Sequence, residues 1–389
     1  MSGIYVHIPF CRQKCHYCNF FSVASDKYKK RFLDTLTEET FIQRNFFNEL
    51  PVQSLYFGGG TPSLLSFVEL ESVFNTIKST FLIEKDAEIT LEANPDDLTI
   101  ELLKKYRDLG FNRLSIGVQS FFDDDLGYLN RLHSAGRAYD SVKEAQKAGF
   151  ENISIDLIYG IPTLTDEKWQ KNLDIAFSLQ VPHISAYALT VEPKTTLDVL
   201  IAKKKLPAPE EEQVVKHFRI LSDAMKYHEY LHYEISNFCK PDFFSRHNSM
   251  YWSGAYYLGL GPAAHSFNGI TRRWNVSSIL HYATLINQHE RYYEEEVLTD
   301  VQKYNEFVMV SLRTMWGCDG SKIRALFGES VKDRFVYLVT NYIQKGMIIE
   351  KEGIYFLTEE GKLFADGIAS DLFLEPEDGS KREPPPSSI

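Results

Sequence analysis

The stretch HIPFCRQKCHYCNFF, residues 7–21, gathers three of the chain's five cysteines into one short loop. Cys11, Cys15 and Cys18 follow the spacing C-x3-C-x2-C, with no fourth cysteine nearby. Two metals compete for such a loop. Structural zinc takes four ligands in a closed tetrahedron, usually from paired C-x2-C knuckles, and here only His7 or His16 is at hand to complete the set. A 4Fe-4S cluster can be held by three thiolates with one iron left open, which is the arrangement of a reactive rather than a structural centre. The position of the loop, directly after a strand, favours the cluster. Cys239 and Cys318 stand alone and read as packed thiols.

Strand-like and helix-like stretches alternate from residue 4 to about 230 and must position that loop. The strand candidates are Ile4–Ile8, Ser54–Phe57, Glu88–Glu92, Arg113–Val118, Asn152–Leu157 and His183–Leu189. Helical patterns lie near 27–48, 66–80, 99–109, 137–149, 165–179 and 210–229, with Ser66, Thr99 and Thr165 as start signals and Gly110 and Gly149 as stops. Six βα units in series predict a parallel sheet with right-handed crossovers. Polar and glycine-rich residues fall at or just after each strand: the thiol loop, Gly58-Gly59-Gly60-Thr61-Pro62, Glu92 and Asn94, Gln119, Asp156 and Tyr187. In α/β barrels sites form where the strands' carboxyl ends converge, so these residues predict one pocket.

From about 231 to 300 the alternation stops and the chain turns aromatic and Gly-rich. Residues 301–373 read as three helical patterns and a hairpin, Met347–Glu350 with Ile354–Thr358, turned at Glu352-Gly353: a winged-helix-like unit. Residues 301–371 hold nine Lys/Arg against ten Asp/Glu, and the whole chain carries a formal charge of -11, so neither nucleic acid nor an anionic membrane is an expected partner. The Pro-rich tail, 374–389, reads as disordered. With 389 residues, 44% of them hydrophobic, and neither a leader pattern nor a long apolar run, a cytoplasmic location is expected.

YVHIPFCRQKCHYC, followed in order by FGGGTP, LEANP, SIGVQS and DLIYGIP, resembles the radical S-adenosylmethionine superfamily, in its oxygen-independent coproporphyrinogen III oxidase-like (dehydrogenase-like) branch. The resemblance runs from the first strand to the tail. It implies a partial TIM-like (βα)6 barrel, α/β in class, with a smaller C-terminal α+β domain. It also implies a 4Fe-4S cluster on Cys11, Cys15 and Cys18 whose open iron takes the amino and carboxylate groups of S-adenosylmethionine, which one-electron reduction can cleave to a 5′-deoxyadenosyl radical. Tyr5, Tyr17, Gly59, Gly60, Thr61, Glu92, Gln119, Arg131 and Asp156 are the implied contacts to that cofactor. Gly59 and Gly60 lack bulk where backbone approaches a ligand, Glu92 can accept from ribose hydroxyls or the ammonium, and Gln119, Arg131 and Asp156 offer amide, guanidinium and carboxylate contacts.

Within the branch, the dehydrogenases carry C-x3-C-x2-C-x-C and a long N-terminal arm. Here Phe20 stands at the fourth cysteine's place and the first strand begins almost at once. The segment His247-Asn248-Ser249-Met250-Tyr251-Trp252 and the GLGPAAHSF that follows instead look like the branch's heme chaperones. That implies heme held near His247, Tyr251 and Trp252, with Arg246, Arg272 and Arg273 for the propionates, and passed to an acceptor protein. The plain alternative is that His247 caps a loop and the aromatics fill space. A monomer or a cluster-dependent dimer is expected, with coproporphyrinogen oxidation by radical chemistry as the competing activity.

Overall fold

The computed structural model describes residues 1–375, so the expected disorder of the tail lies outside the described residues from 376 on. Two compact units result, Met1–Leu231 with Phe238–Glu296, and His232–Asn237 with the chain from Val297 onward.

The first unit opens with six strands, β1 (Ser2–Ile8), β2 (Val52–Gly59), β3 (Ile83–Ala93), β4 (Arg113–Gln119), β5 (Asn152–Tyr159) and β6 (His183–Ala188), paired in that order and all parallel. Helices α1 (Lys29–Ile42), α2 (Phe67–Thr80), α3 (Ile100–Leu109), α4 (Asp123–Leu129), α5 (Ala135–Lys147), α6 (Asp166–Ser178), α7 (Thr196–Ala202) and α8 (Glu211–Tyr227) connect and follow them. The start signals read from sequence are real caps. Ser66 forms a full capping box with Glu69 on α2, and Thr99 and Thr165 accept from the third residue of α3 and α6. Two helices were not foreseen, α4 and α7. Each has only 7 residues, too short for a 3.6-residue period to register.

Parallel strands buried on both faces usually read as continuous apolar runs. These alternate instead. Ile4, Val6, Leu55, Phe57, Leu91, Leu114, Ile116, Ile153, Ile155 and Ile184 are at most 1% exposed and form the core on the helix side, where Phe57 packs on Phe74 and Phe111. Successive side chains point to opposite faces, so Tyr5, His7, Tyr56, Glu88, Glu92, Arg113, Ser115, Ser154, Asp156, His183 and Ser185 share the inner face. The barrel lumen is therefore polar and aromatic.

After a short hairpin, β7 (Leu231–Glu234) and β8 (Asn237–Cys239), comes α9 (Arg246–Trp252), which carries the HNSMYW motif. The segment without alternation then extends the sheet past β1: β9 (Tyr256–Leu260) pairs parallel with β1, and β10 (His265–Phe267) and β11 (Thr271–Asn275) follow antiparallel. Helix α10 (Ile279–Asn287) and β12 (Tyr293–Val297) close the unit. Glu39 of α1 fastens this extension. Its buried carboxylate accepts from Gly261 N (2.6 Å), Asn275 Nδ2 (2.7 Å) and Tyr282 Oη (2.5 Å).

The second unit packs α11 (Asp300–Leu312), α12 (Gly320–Phe327) and α13 (Glu329–Gln344) with a three-stranded sheet ordered β13 (Cys318–Asp319), β15 (Ile354–Leu357), β14 (Ile348–Lys351). Its core includes Tyr304, Val308, Leu312, Ile323, Phe335, Val339, Ile348 and Leu357. The wing turns at Glu352 (φ 54°) and Gly353 (φ 80°), the double left-handed conformation of a tight hairpin. Cys239 and Cys318 are fully buried.

Candidate cluster and cofactor site

The thiol loop leaves β1 and is clamped from two later segments. His16 N donates to Leu129 O (3.1 Å), His16 Nδ1 bonds Tyr128 O (2.9 Å), Gln13 donates to Asn130 O (3.2 Å), and Asn130 Nδ2 returns to Lys14 O (3.0 Å). Asn130 takes a left-handed conformation (φ 61°) to end α4 and so turns its amide toward the loop. From α7, Leu197 N donates to His16 O (2.8 Å). Sequence reading missed both clamps. The one available signal was an asparagine directly after a helical turn.

The three thiols are free and half-buried. Burial pushes the Cys18 thiol up to about 11 and raises Cys11, opposed at Cys11 by the hydrogen bond from Thr61. Thr61 Oγ1 lies 3.6 Å from Cys11 Sγ, and Arg131 Nη1 donates to Cys15 Sγ at 3.4 Å. Both histidines that could complete a zinc site are committed elsewhere. His7 Nε2 bonds Phe21 O (2.8 Å), its Nδ1 lies 3.3 Å from Tyr5 Oη, and His16 holds Tyr128 O. Among the described residues no three His, Cys, Asp or Glu side chains converge to hold a metal ion. The donor set is three thiols with hydrogen-bond donors against two of them. It fits a cluster bound through the corners of a cubane by three thiolates better than a tetrahedral ion.

The remaining expected contacts line the carboxyl ends of the strands. Glu92 accepts from Tyr56 Oη (2.8 Å) and from Gly59 N (3.1 Å), yet burial pushes its carboxyl up to about 7. Asp156, 3.3 Å from Ser115 Oγ, is likewise pushed up by burial to about 6, against Ser185, Arg113 and Ser115. Arg131 donates to Asn94 Oδ1 and Gly117 O as well as to Cys15. Gln119 is buried at φ 64°, an uncommon conformation for a residue with a side chain, where the β4–β5 register shifts. Burial raises the Tyr17 hydroxyl pKa, against the charge of Arg131 beside it. The glycines prove to be needed by the protein itself. A Cβ on Gly59 (φ 106°) would meet the His7 ring at 2.6 Å, and one on Gly60 would meet Phe10 O at 2.7 Å.

The HNSMYW motif lies elsewhere in the lumen, against the amino-terminal parts of β1–β3. Glu88 caps α9 by accepting from Arg246 N and His247 N, both at 3.1 Å. His247 is 2% exposed. Its Nδ1 bonds Ser54 Oγ (2.8 Å), its Nε2 bonds Tyr251 Oη (3.1 Å), and its ring stacks on Tyr56 with centroids 4.9 Å apart. Burial lowers its pKa to about 3, so the imidazole is neutral. Both nitrogens that could meet iron are occupied. Of the arginines expected at propionates, Arg246 reaches Asp86 O (2.9 Å), Arg272 lies 3.6 Å from Glu296, and Arg273 bonds Glu295 (3.0 Å) across the Tyr293 ring.

Residues 5–176 match the Radical SAM superfamily, and residues 298–364 match the HemN C-terminal domain. The class is thereby set: a radical SAM protein, for which a 4Fe-4S cluster and S-adenosylmethionine are the family's cofactors. Among curated proteins the chain is 36% identical to heme chaperone HemW of Bacillus subtilis (strain 168), over 95% of this chain and 98% of that one. It is 32% identical to heme chaperone HemW of Lactococcus lactis subsp. lactis (strain IL1403), over 96% and 98%. A solved structure of coproporphyrinogen III oxidase (HemN) from Escherichia coli superimposes with a TM-score of 0.83 at 24% identity, covering 96% of this chain and 90% of that chain, a likeness of fold. The chain belongs to the HemW family. No helix among the described residues is long and apolar enough to cross a membrane.

Proposed function

We propose that this chain is a heme chaperone, binding heme and passing it to an acceptor protein. The observation that carries the reading is the near full-length likeness to two proteins of that name. Phe20 adds to it. The fourth cysteine of the dehydrogenase pattern is replaced by an aromatic ring 51% exposed beside the thiol loop, which leaves coproporphyrinogen oxidation the weaker alternative.

In this reading Cys11, Cys15 and Cys18 hold the cluster, and Tyr5, Tyr17, Gly59, Gly60, Thr61, Glu92, Gln119, Arg131 and Asp156 form the S-adenosylmethionine site. Bound there, the pair would supply one-electron chemistry. The chain's own part is positioning. Arg131 ties the Cys15 sulfur to Asn94 and β4, Thr61 directs a hydroxyl at Cys11, and Glu92 holds the Gly59 amide while keeping a carboxyl ready for an ammonium or ribose group. Asn130 and Leu197 keep the loop in register, as outer-shell partners do at metal sites.

Titrating hemin into anaerobically reconstituted protein tests the proposal. A saturable Soret band and transfer of the heme to an apo-hemoprotein are expected. No saturable band would remove the chaperone reading, and S-adenosylmethionine-dependent formation of protoporphyrinogen with release of CO2 would establish the oxidase instead.

A further inference from the structure

Resting on the chaperone reading, we propose that His265, not His247, is the protein ligand to heme iron, on a face formed by β9, β10 and β11. The strand registers place this face. Tyr257 pairs with Gly3 and Gly259 with Tyr5, so odd-numbered residues of β9 continue the inner face of β1. Phe267 pairs with Tyr257, and across β10 and β11 His265 pairs with Trp274 and Phe267 with Arg272. Alternation then puts Tyr257, His265, Phe267, Arg272 and Trp274 on one surface, continuous with the polar lumen.

The chemistry of that surface suits a porphyrin. His265 is exposed, as only His281 and His289 are among the other ten histidines. Its ring is stacked against Trp274 with centroids 6.4 Å apart and planes at 29°, and no hydrogen bond occupies its nitrogens among the described residues. Neutral imidazole with a free lone pair is a standard axial ligand. Trp274, stacked on the imidazole, braces its ring, Phe267 and Tyr257 offer apolar surface for the macrocycle, and Arg272, whose charge acts on His265 and which lies 3.6 Å from Glu296, offers a guanidinium to a propionate. His281 and His289 lack this setting, being on and just beyond α10, which packs against α1 on the helix side of the sheet. His247, by contrast, would have to leave Ser54, Tyr251 and Tyr56 before it could reach iron. In this arrangement the motif helix supports the lumen from below and His265 meets the cargo. His265 also lies on the side of the cluster, since β10 begins just after Gly261, whose Cβ would strike His7 O at 2.6 Å.

The test compares hemin binding by the full-length reconstituted wild type, His265→Ala, His265→Met and the control His281→Ala, followed by the Soret band and by electron paramagnetic resonance of the ferric complex. His265→Ala should weaken binding about tenfold or more with loss of the low-spin nitrogen-ligated signal, and His265→Met should change the ligand field while circular dichroism stays that of the wild type. His281→Ala should behave as wild type. A wild-type band and ligand field in both His265 variants would overturn the assignment while leaving the chaperone reading intact. Absence of any saturable band in the wild type would instead overturn that reading and this inference with it.

Discussion

Replacing His247 with alanine in heme-free protein separates a structural role from a ligand role. The substitution removes two hydrogen bonds, to Ser54 Oγ and Tyr251 Oη, each worth about 1 kcal/mol. It also strands the fully buried Ser54 hydroxyl, which costs roughly 1–3 kcal/mol. The emptied ring site beneath Tyr56 adds a cavity term, and Phe-to-Ala changes in cores cost about 3–5 kcal/mol in all. These terms overlap, since one ring makes every contact, so the expected loss is about 3–5 kcal/mol. For a unit of this size that lowers the melting temperature by on the order of 10 °C. Tyr251→Phe removes only the Nε2 partner and should cost about 1–2 kcal/mol. Thermal and urea unfolding of apo wild type and both variants, without hemin, supply the measurement. If His247→Ala melts within about 2 °C of wild type, the ring is not bracing α9 and the reasoning from its two hydrogen bonds is wrong. A residue kept only to meet iron would give that result.

Further outcomes follow from the site. Glu92 has an ordinary carboxyl value of 4.5 when unfolded and about 7 when folded, so the folded chain holds the extra proton between those values. Its contribution is therefore greatest below 4.5 and is lost as pH rises through 7; wild type should lose stability relative to Glu92→Gln between pH 5 and pH 8 in urea titrations, and a pH-independent difference would contradict this. Asn130→Ala breaks the side-chain hydrogen bond to Lys14 O and puts alanine at φ 61°, so it should lower iron and sulfide per chain after reconstitution by severalfold, with the melting temperature changed by only a few degrees. Gly59→Ala forces a side chain into φ 106° and into the His7 ring, so it should abolish S-adenosylmethionine binding measured by calorimetry even where the cluster still assembles. Phe20→Cys should leave protoporphyrinogen formation undetectable in an anaerobic assay.

Several parts of this were legible in the sequence because they depend on local chemistry. The thiol spacing, the six strand ends with their polar residues, the caps at Ser66, Thr99 and Thr165, and the Glu352-Gly353 hairpin all appear where neighbouring residues predict them. What was hidden depends on long-range pairing. Nothing near Lys14 announces Asn130 as its partner, 116 residues away. The i, i+4 spacing of His247 and Tyr251 puts both on one face of a helix, but not on which surface that face rests. The extension by β9–β11 was hidden because β10 has only 3 residues, too few for alternation to show. In sequence the glycine pair looks like room for a ligand, whereas the chain's own His7 and Phe10 take the space.

The alternation along β1–β5 also has an evolutionary reading. Each strand carries two interleaved messages, one in even positions and one in odd, and selection can edit them almost independently. Drift at Val6 or Ile116 would be judged by how well the barrel folds, and drift at Tyr5 or Ser115 by what it accommodates. A lineage could thus rewrite its guest while leaving the scaffold untouched, as long as no strand gained or lost a single residue.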